Sequence, residues 1–534
     1  MGSFVKTESD HSESGDQSRV IEFLASPETY GVRQVQRLET HGNFVFLAGQ
    51  NAYKIKRAVC FNYMDFSTLE KRRFACHREV EINQRWAPDL YLGCVPITRR
   101  PDGSLSLRGA GEIVEWAVRM RRFDQNDLLS VRAEHGQLDR DLSVRLAQAV
   151  YASHSMAARA NPQSDIAPFR DLVASISRGL ADANAFDPDT TSCLKIVLQQ
   201  QLDRAAAIID ERAAHGFVRR CHGDLHLANI VLLQGLPTLY DALEFDEALA
   251  TIDTLYDLAF LLMDLDAQTQ RPAANVVLNR YLYCSGQYLD VHGLAALPLF
   301  LALRAAIRAL VTSDRAAQEA GESRERDLAR ARRYLAAALG HATPAMPRLV
   351  VVAGLSGTGK TTLAAALAPL LGASPGAVHL RSDLERKALA GVGELERLPA
   401  SAYTPEARWR IYNSLHEKAA AALRARHAVV LDAVYDSESE RREIENLADS
   451  LNIPVHGLWL HADATTLIAR VEARRGDASD ATPDVVRHQL AAAIGCLSAR
   501  WHCLDAGSNA TDTLRAARSA IGPSMYEGCT RKPV

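Results

Sequence analysis

The sequence GLSGTGKTT at residues 354–362 decides the fold of the C-terminal part of the chain. It fits the pattern G-x-x-x-x-G-K-[ST], and it lies between an apolar strand, RLVVVAG, and a helix that begins at GKTTLAAALA. Glycines there let successive backbone N–H groups turn inward around phosphate oxygens, and the positive end of the helix adds to the attraction. We therefore predict a phosphate-binding loop, not a plain glycine turn. Its expected nucleotide-binding residues are Gly354, Gly357, Gly359, Lys360, Thr361 and Thr362.

A magnesium ion is expected beside this loop. Lys360 would reach the β- and γ-phosphates of ATP, and Thr361 would offer its hydroxyl to Mg²⁺. In VVLDAV, Asp432 ends a third apolar strand, a position from which a carboxylate can hold the same ion. Simple solvation of a strand end is the alternative interpretation of Asp432.

Further polar residues in the C-terminal part of the chain predict that it transfers a phosphoryl group and does not only bind nucleotide. Asp383, in RSDLERK, follows the strand AVHL, where its carboxylate could accept a proton from a substrate hydroxyl. The alternative is that Asp383 only caps a helix. Arg386, one helical turn later, would hold an anionic or hydroxylated substrate. Arg474, in the run IARVEARRGD, would neutralise charge on the transferring phosphoryl group, with a solvated helix face as the alternative.

The apolar strands RLVVVAG, AVHL, AVVLDAV and PVHGLWLH alternate with helices, which favours a parallel sheet covered on both faces. With its phosphate loop, its S-D-x-x-R element and its arginine-rich lid, the stretch from residue 348 resembles small P-loop kinases of the gluconate kinase, chloramphenicol phosphotransferase and polynucleotide kinase type. The resemblance implies an α/β P-loop kinase fold and ATP-dependent transfer, but it does not name the acceptor.

A second pattern, CHGDLHLANI at residues 221–230, also points to phosphate chemistry. In H-R-D-x-x-x-x-N loops the Asp takes the proton of the acceptor hydroxyl and the Asn holds Mg²⁺. Asp224 and Asn229 keep that offset, and Asp241 in TLYDALEF follows a short hairpin as a second metal-binding acid. A strained polar turn is the alternative for the His-Gly-Asp trio taken alone.

The segment AYKIK places two lysines, Lys54 and Lys56, on one face of a strand. Glu79 lies downstream on a helix, and a Lys–Glu pair can hold the α- and β-phosphates. We prefer Lys54 as the phosphate-binding lysine, and Lys56 remains the alternative.

Through HGDLHLAN, YDALEF, YKIK and HREVEINQRWAP, residues 20–335 resemble the aminoglycoside phosphotransferase-like branch of the protein-kinase-like fold. The resemblance implies an α+β bilobal fold, with the strand at residues 116–120 beside the adenine. This sequence departs from it in three ways, one of which is the insert RAVCFNYMDFSTLEKRR between the lysine strand and the helix, which is unlike antibiotic-modifying enzymes. No G-x-G-x-x-G precedes Lys54, so Gly42 alone would cover the phosphates. No acidic cluster that would bind a polycationic aminoglycoside is evident, so antibiotic modification is only weakly indicated.

The expected organisation is a multidomain chain. Its parts are a disordered tail at 1–19, an N-lobe at 20–115, a helical C-lobe at 116–335, a linker at 336–347, a P-loop kinase domain at 348–522 and a C-terminal tail at 523–534. Two local predictions are a pair of strands, NFVFLAG and NAYKIK, joined by a turn at 49–51, and a helix that is N-capped by Ser67.

Composition excludes several classes of protein. The 534 residues carry a formal net charge of -3, so no global positive field draws the chain to nucleic acid. The nine cysteines contain no C-x-x-C pair, which favours reduced thiols and a cytoplasmic location. The run LAALPLFLALRAAIRALV is interrupted by Arg304 and Arg308, which favours a buried helix, so we expect no membrane association.

These patterns together predict a bifunctional ATP-dependent phosphotransferase that uses Mg²⁺, with Asp224 and Asp383 as bases. The expected partner is a small-molecule hydroxyl acceptor such as a sugar or nucleoside, a nucleic-acid end is the alternative acceptor, and the oligomeric state is left open. Three other functions remain open: a regulatory or toxin-like protein in which one module senses ATP and gates the other, a P-loop ATPase switch, and a pseudokinase that binds nucleotide without turnover.

Overall fold

The N-terminal elements are mostly β-strands. The computed structural model of the chain describes residues 17–40, 42–61, 64–160 and 166–522. Up to residue 134 its elements are α1 (Ser18–Ala25), β1 (Val35–Glu39), β2 (Asn43–Ala48), β3 (Asn51–Lys56), β4 (Cys60–Phe61), β5 (Met64–Asp65), α2 (Leu69–Asn83), β6 (Tyr91–Arg99), β7 (Leu105–Leu107), β8 (Glu112–Arg121) and α3 (Leu129–Glu134).

Six of these strands form an antiparallel sheet in the order β1-β2-β3-β8-β6-β7. Strands β2 and β3 are joined at Gly49, which has a positive φ of 55°, so the predicted strand pair is confirmed. Because side chains alternate along β3, Ile55 packs into the apolar core on one face while Ala52 packs with α2 on the other. Lys54 and Lys56 share the face of Ala52.

Three local expectations for this region were wrong. The N-cap of α2 is Thr68, whose hydroxyl accepts from the N–H of Lys71, while Ser67 bonds to the carboxylate of Asp65. Helix α1 begins at Ser18, inside the expected tail, and residues 1–16 lie outside the described residues. Strand β8 runs across the expected lobe boundary at 115/116, because it pairs along its length with β3 and β6.

The middle of the chain is mainly helical. Its elements are α4 (Arg140–Met156), α5 (Ala167–Asp182), α6 (Pro188–Ala214), β9 (Val218–Arg220), β10 (Ile230–Leu233), β11 (Leu236–Leu239), α7 (Glu247–Ala250), β12 (Thr251–Asp253), α8 (Thr254–Ala267), α9 (Arg271–Ser285), α10 (Tyr288–His292), α11 (Leu297–Ala317) and α12 (Gly321–Ala342). Helix α12 continues to Ala342, so only the end of the expected linker at 336–347 is non-helical.

Helix α11 contains the apolar run that the sequence marked as a buried helix. Arg304 is 7% exposed, and its guanidinium lies 3.9 Å from the centre of the Tyr256 ring, so cation–π contact stabilises it inside the protein. One stretch, Tyr288–Ala317, is long and apolar enough to cross a membrane, but 67% of its most apolar window is buried within the protein. Such burial is expected of a core helix.

The C-terminal elements alternate between strands and helices. They are β13 (Leu349–Gly354), α13 (Lys360–Leu367), β14 (Val378–Arg381), α14 (Ser382–Ala390), α15 (Pro405–Arg424), β15 (Val429–Asp432), α16 (Glu438–Ser450), β16 (Val455–His461), α17 (Ala464–Ala473), α18 (Pro483–Ala491), β17 (Trp501–Asp505) and α19 (Ala510–Ile521). The five strands form a parallel sheet in the order β14-β15-β13-β16-β17, as predicted. The expected tail at 523–534 lies outside the described residues.

Packing divides the chain into two units: residues 1–137, 152–160 and 219–252 in one, and residues 138–151, 161–218 and 253–534 in the other. Within the second unit, helix α9 covers the edge strand β14. The amide oxygen of Asn279 accepts from the N–H of His379 at 2.7 Å, and Asn275 donates to the carbonyl of Ala377 at 3.0 Å. The polar backbone of a sheet edge is thereby bonded within the chain.

Candidate functional sites

In the first unit, Lys54 lies between two carboxylates. Its Nζ is 3.0 Å from Glu79 Oε1 and 2.5 Å from Asp241 Oδ1. Burial lowers the pKa of Lys54, but Asp241 and Glu79 raise it well above its usual range. Burial likewise raises the pKa of Glu79, but Lys54 and Lys56 lower it to about 2. Lys54 is therefore a permanent cation.

Lys56 belongs to the same buried network. Its Nζ is 2.6 Å from Glu79 Oε2, and it also bonds to Glu244. Burial raises the pKa of Glu244, although the lysines oppose this effect. Glu79 therefore bridges both lysines, while each lysine has its own second carboxylate: Asp241 for Lys54 and Glu244 for Lys56. Sequence reasoning missed Glu244, because its pairing with Lys56 spans 188 positions of the chain.

Asp241 is held in an unusual backbone conformation. Its φ is 58°, in the left-handed region, which an Asp adopts more readily than most residues. Its N–H donates to the Tyr91 hydroxyl at 3.0 Å, and the next N–H, of Ala242, donates to Asn83 Oδ1 at 2.9 Å. The 36% exposed side chain of Asp241 is thus presented by a backbone that is fixed on both sides of it.

The loop that contains the His-Gly-Asp trio is connected to Asp241 through Tyr240. His222 Nε2 donates to the Tyr240 carbonyl at 2.9 Å, and the Tyr240 N–H donates to the Asn229 carbonyl at 3.0 Å. Asn229 Nδ2 donates to Asp224 Oδ2 at 2.9 Å, so the amide oxygen of Asn229 is its remaining side-chain atom for a cation. The Asp224 side chain is 43% exposed. Lys54, Glu79 and Asp241 are thus in direct contact, and Asp224 and Asn229 are linked to Asp241 through the backbone of Tyr240.

In the second unit, the loop at residues 354–359 has the tight form of a phosphate-binding loop. Gly354 has a φ of 139°, and a Cβ there would stand 2.5 Å from the Leu460 carbonyl oxygen. Gly357 has a φ of 88°, and a Cβ there would stand 2.6 Å from the Leu467 carbonyl oxygen. Only glycine fits these two positions without a shift of backbone.

Thr361 and Asp432 meet at the end of this loop. Thr361 Oγ1 donates to Asp432 Oδ2 at 2.6 Å, while His379 Nε2 and Arg381 Nε each lie 3.6 Å from the same oxygen. Burial raises the pKa of Asp432, but His379, Arg381 and Lys360 lower it to about 2. Two oxygen donors thus lie side by side, and one of them is charged at any physiological pH.

Lys360 is half-buried at the end of the loop, where nearby charged side chains shift its pKa. Its Nζ donates to the Leu355 carbonyl at 2.9 Å. Burial lowers its pKa, Asp432 and Asp383 raise it, and Arg474 lowers it further. These effects place both predicted carboxylates and the predicted lid arginine within electrostatic reach of Lys360. Among the described residues, no side-chain hydrogen bond or ion pair engages Asp383, and the N-cap of α14 is Arg381. The capping alternative for Asp383 is therefore wrong.

The predicted arginines differ in their contacts. Arg386 Nη1 donates to the Ala402 carbonyl at 2.8 Å, and its guanidinium lies 4.6 Å from the centre of the Tyr403 ring. Arg474 Nε lies 3.5 Å from Asp477 Oδ2. Two buried guanidinium nitrogens, Arg381 Nε and Arg474 Nη1, have no hydrogen-bond partner in the part of the chain that the structure describes. Bound phosphate oxygens would satisfy them, so these residues fit a nucleotide.

Gln489 is a neighbour of the loop that sequence reasoning missed. From α18, its Oε1 accepts from the N–H of Ser356 at 2.9 Å. A lone glutamine more than a hundred residues downstream carries no motif, so nothing in the pattern of residues could have indicated it. Arg381 and His379 were also missed, because only the pairing of β14 with β15 brings them to Asp432.

Family comparisons agree with both halves of this description. A model described as "Phosphotransferase enzyme family" matches residues 75–295, and a model described as "AAA domain" matches residues 349–495. The chain therefore contains a stretch that matches a phosphotransferase family, followed by a stretch that matches an AAA domain model. It is an enzyme of the kinase class, as the sequence predicted.

Relatives at the level of the whole chain are mycobacterial. "Uncharacterized protein Rv2004c" of Mycobacterium tuberculosis and "Uncharacterized protein Mb2027c" of Mycobacterium bovis are each 29% identical over 498 residues, 91% of this chain and 94% of theirs. Each of these relatives therefore aligns with both parts of the chain, in the same order.

Among solved structures, the likenesses are distant. An aminoglycoside 2'-phosphotransferase-IIIa is 14% identical, with 60% of this chain and 99% of that chain covered and a TM-score of 0.37. A gluconokinase from Sinorhizobium meliloti is 20% identical, with 33% of this chain and 91% of that chain covered and a TM-score of 0.25. Likenesses this distant assign neither a substrate nor a residue role to this chain.

Proposed function

We propose that the chain is a bifunctional ATP-dependent phosphotransferase in which two separate sites each move the γ-phosphoryl group of ATP to a hydroxyl of a small molecule. The observation that carries the proposal is the arrangement of charge in each site. Lys54 contacts Asp241, and the preceding residue, Tyr240, bonds to Asn229, which donates to Asp224. Thr361 contacts Asp432 beside Lys360 and Asp383. Each site thus combines a cation for phosphate, oxygen donors for a metal ion and a carboxylate for a proton.

At the first site, Lys54 binds the α- and β-phosphates, and Glu79 positions it. Asn229 and Asp241 would hold Mg²⁺, which would supply positive charge to the phosphates. Asp224 accepts the proton of the acceptor hydroxyl, and its hydrogen bond from Asn229 fixes the carboxylate for that purpose.

At the second site, the N–H groups of the loop at residues 354–362 and Lys360 bind the phosphates. Thr361 and Asp432 would hold Mg²⁺, which would again supply positive charge to the phosphates. Asp383 accepts the proton of the acceptor, Arg474 neutralises charge on the transferring group and Arg386 contacts the substrate. The low pKa of Asp432 keeps it an anion that suits a divalent cation.

The proposed partner of both sites is a small hydroxyl compound such as a sugar or a nucleoside. A net charge of -3 does not favour a nucleic-acid end, which remains the second choice of acceptor. None of the eight cysteines in the described residues forms a disulfide, which supports the prediction of a cytoplasmic location.

The test compares Asp224→Ala and Lys360→Ala in the full chain. A library of small hydroxyl compounds is screened for ATP consumption and for the mass shift of one phosphate. Asp224→Ala should remove phosphorylation of one set of acceptors, and Lys360→Ala should remove it for another set. Circular dichroism confirms that both variants fold. Unchanged ATP consumption in both variants, with every acceptor, would contradict two independent active sites.

A P-loop switch or an ATP sensor is the second candidate function, and the contact of Gln489 with the N–H of Ser356 favours it. A protein group there competes with phosphate for the loop, as a regulated site would require. Steady ATP hydrolysis that needs Lys360 but no acceptor would support the switch. Hydrolysis that waits for a hydroxyl compound would support the phosphotransferase.

A further inference from the structure

A cavity of about 650 Å³ lies where the helical part of the second unit packs against the P-loop domain. It is large enough for a sugar-sized molecule. Helices α4 and α9 line one side, through Arg140, Ser143, Ala273 and Val276 among others. Helix α13, the end of β14 and the loop after α17 line the other side, and Thr361 and Thr362 connect the cavity to the phosphate-binding loop.

The charged lining of this cavity is mainly positive. Its arginines are Arg140, Arg381, Arg474 and Arg475, and its carboxylates are Glu394 and Asp477. Asp477 is already shared, at 3.2 Å from Arg381 Nη2 and 3.5 Å from Arg474 Nε. Glu394 is neutralised by Arg280 at 2.5 Å. The cavity therefore has more positive than negative charge available to a ligand.

Arg140 is the least compensated of these cations. Among the residues that the structure describes, no carboxylate forms an ion pair with it. It is the first residue of α4, where the helix dipole disfavours a cation, and the N-cap role belongs to Asp139, which accepts from the N–H of Leu142 at 2.7 Å. Arg140 is exposed, and its guanidinium can contact an anion in the cavity that it lines.

Arg381 gives an independent indication of the same kind. It is 8% exposed at the end of β14, where its Nε lies 3.6 Å from Asp432 Oδ2 and has no hydrogen-bond partner among the described residues. This N–H can therefore still donate to an oxygen of a bound ligand. Arg381 also lies two positions before Asp383, the proposed base of the second site.

We propose that this cavity binds the acceptor of the P-loop domain, and that this acceptor is a small hydroxyl compound that already carries a phosphate group. The inference rests on the proposed function of the second site. A phosphate dianion matches the excess of arginine, and the rest of the cavity accommodates a sugar-sized body. Arg140 lies in the stretch that matches the phosphotransferase family, and it belongs to the same packing unit as the phosphate-binding loop.

The reaction that follows conserves atoms and charge. The free hydroxyl oxygen of the monophosphate attacks the γ-phosphorus of ATP, its proton passes to the Asp383 carboxylate, and the bond from the γ-phosphorus to the bridging oxygen of ADP breaks. The products are ADP and a bisphosphate. The reaction that supplies this substrate must itself be a phosphorylation of a polyhydroxyl compound, which is the class proposed for the first site.

Calorimetry on the full chain tests the pocket directly. Inorganic phosphate, glucose 6-phosphate and glucose are titrated into protein whose nucleotide sites are saturated with ADP and Mg²⁺. Arg140→Ala should weaken binding of both phosphates about 10- to 100-fold, the loss of one charge-assisted contact. Arg178→Ala, a matched change at an exposed arginine of α5 away from the cavity, should bind like the unmodified protein. Arg140→Lys should recover part of the affinity, and ADP affinity should be unchanged throughout.

Each outcome decides a different point. Phosphate binding that ignores Arg140→Ala, or glucose that binds as tightly as glucose 6-phosphate, would overturn the inference. Arg140-dependent phosphate binding together with no acceptor-dependent ATP consumption would contradict the proposed function of the second site instead.

Discussion

The two phosphate sites of this chain are built in opposite ways. The site at residues 354–362 depends on the backbone of consecutive residues, and its glycines pass so close to neighbouring carbonyls that a side chain would collide. The other site gathers side chains from a strand, a helix and two loops, with Lys54 and Asp241 separated by 187 positions. The first kind of site should therefore fail when a backbone conformation is disturbed, and the second when one partner of a charge pair is removed.

The largest effect should come from replacing, one at a time, the two buried lysines of the first site, Lys54 and Lys56. Lys54→Met should lower kcat/KM at the first site by about 100-fold or more, because no cation would remain beside Asp241. Lys56→Met should instead lower the free energy of unfolding by about 3–5 kcal/mol, because Glu244 and Glu79 would lose a buried partner. Steady-state kinetics and urea unfolding measure the two effects. Lys71→Met, at an exposed lysine, is the control.

The opposite result would reverse the assignment of the two lysines. If Lys56→Met removes activity without loss of stability, while Lys54→Met mainly destabilises the fold, Lys56 is the phosphate-binding residue.

The second-largest effect should come from the phosphate-binding loop at residues 354–362, which would bind phosphate through its backbone N–H groups. Gly357→Ala should lower the free energy of unfolding by roughly 1–3 kcal/mol and weaken ADP binding at the second site, because its Cβ would meet the Leu467 carbonyl. Gly340→Ala in helix α12, where a Cβ meets nothing within 4 Å, is the matched control and should not destabilise the protein. Equal stability and ADP affinity in Gly357→Ala would show that the loop can relax.

Low pH should lower the free energy of unfolding through a carboxylate in each of the two sites. The folded-state pKa of Glu79 is about 2 and that of Asp432 is about 2, both below their ordinary values of 4.5 and 3.8. Their contributions to stability are therefore fully present above those ordinary values and are lost as the pH falls through about 2. Urea unfolding between about pH 5 and pH 2.5 should show a shallower acid decline for Glu79→Gln and for Asp432→Asn. An unchanged slope in either variant would contradict the corresponding pKa.

The smallest effect should come from Gln489. Gln489→Ala should raise the ADP affinity of the second site about 2- to 10-fold, because the N–H of Ser356 would no longer be engaged by a neutral hydrogen bond of about 1 kcal/mol. His488→Ala, at the exposed neighbouring residue, is the control. Weaker ADP binding in Gln489→Ala would mean that this amide helps to hold the nucleotide instead of competing with it.

Much of the fold was predictable because the periodicity was strong. The parallel strands that contain Val351, Leu431 and Leu458 are continuous apolar runs, a pattern that predicts buried strands from sequence alone. Fine boundaries were less predictable. Thr68 and not Ser67 caps α2, because the choice depends on which hydroxyl reaches the N–H of Lys71 after Asp65 has engaged Ser67.

By itself, the sequence determined the phosphate-binding loop and the spacing of Asp224, Asn229 and Asp241. Both features depend on residues that are close together in the sequence, because such residues determine the local backbone conformation. Only the tertiary structure decided which lysine meets Asp241, that Glu244 completes a buried network, and that Arg140 lines a cavity beside Thr361. The physical reason is that burial and charge pairing act between groups far apart along the chain, and packing alone brings those groups together.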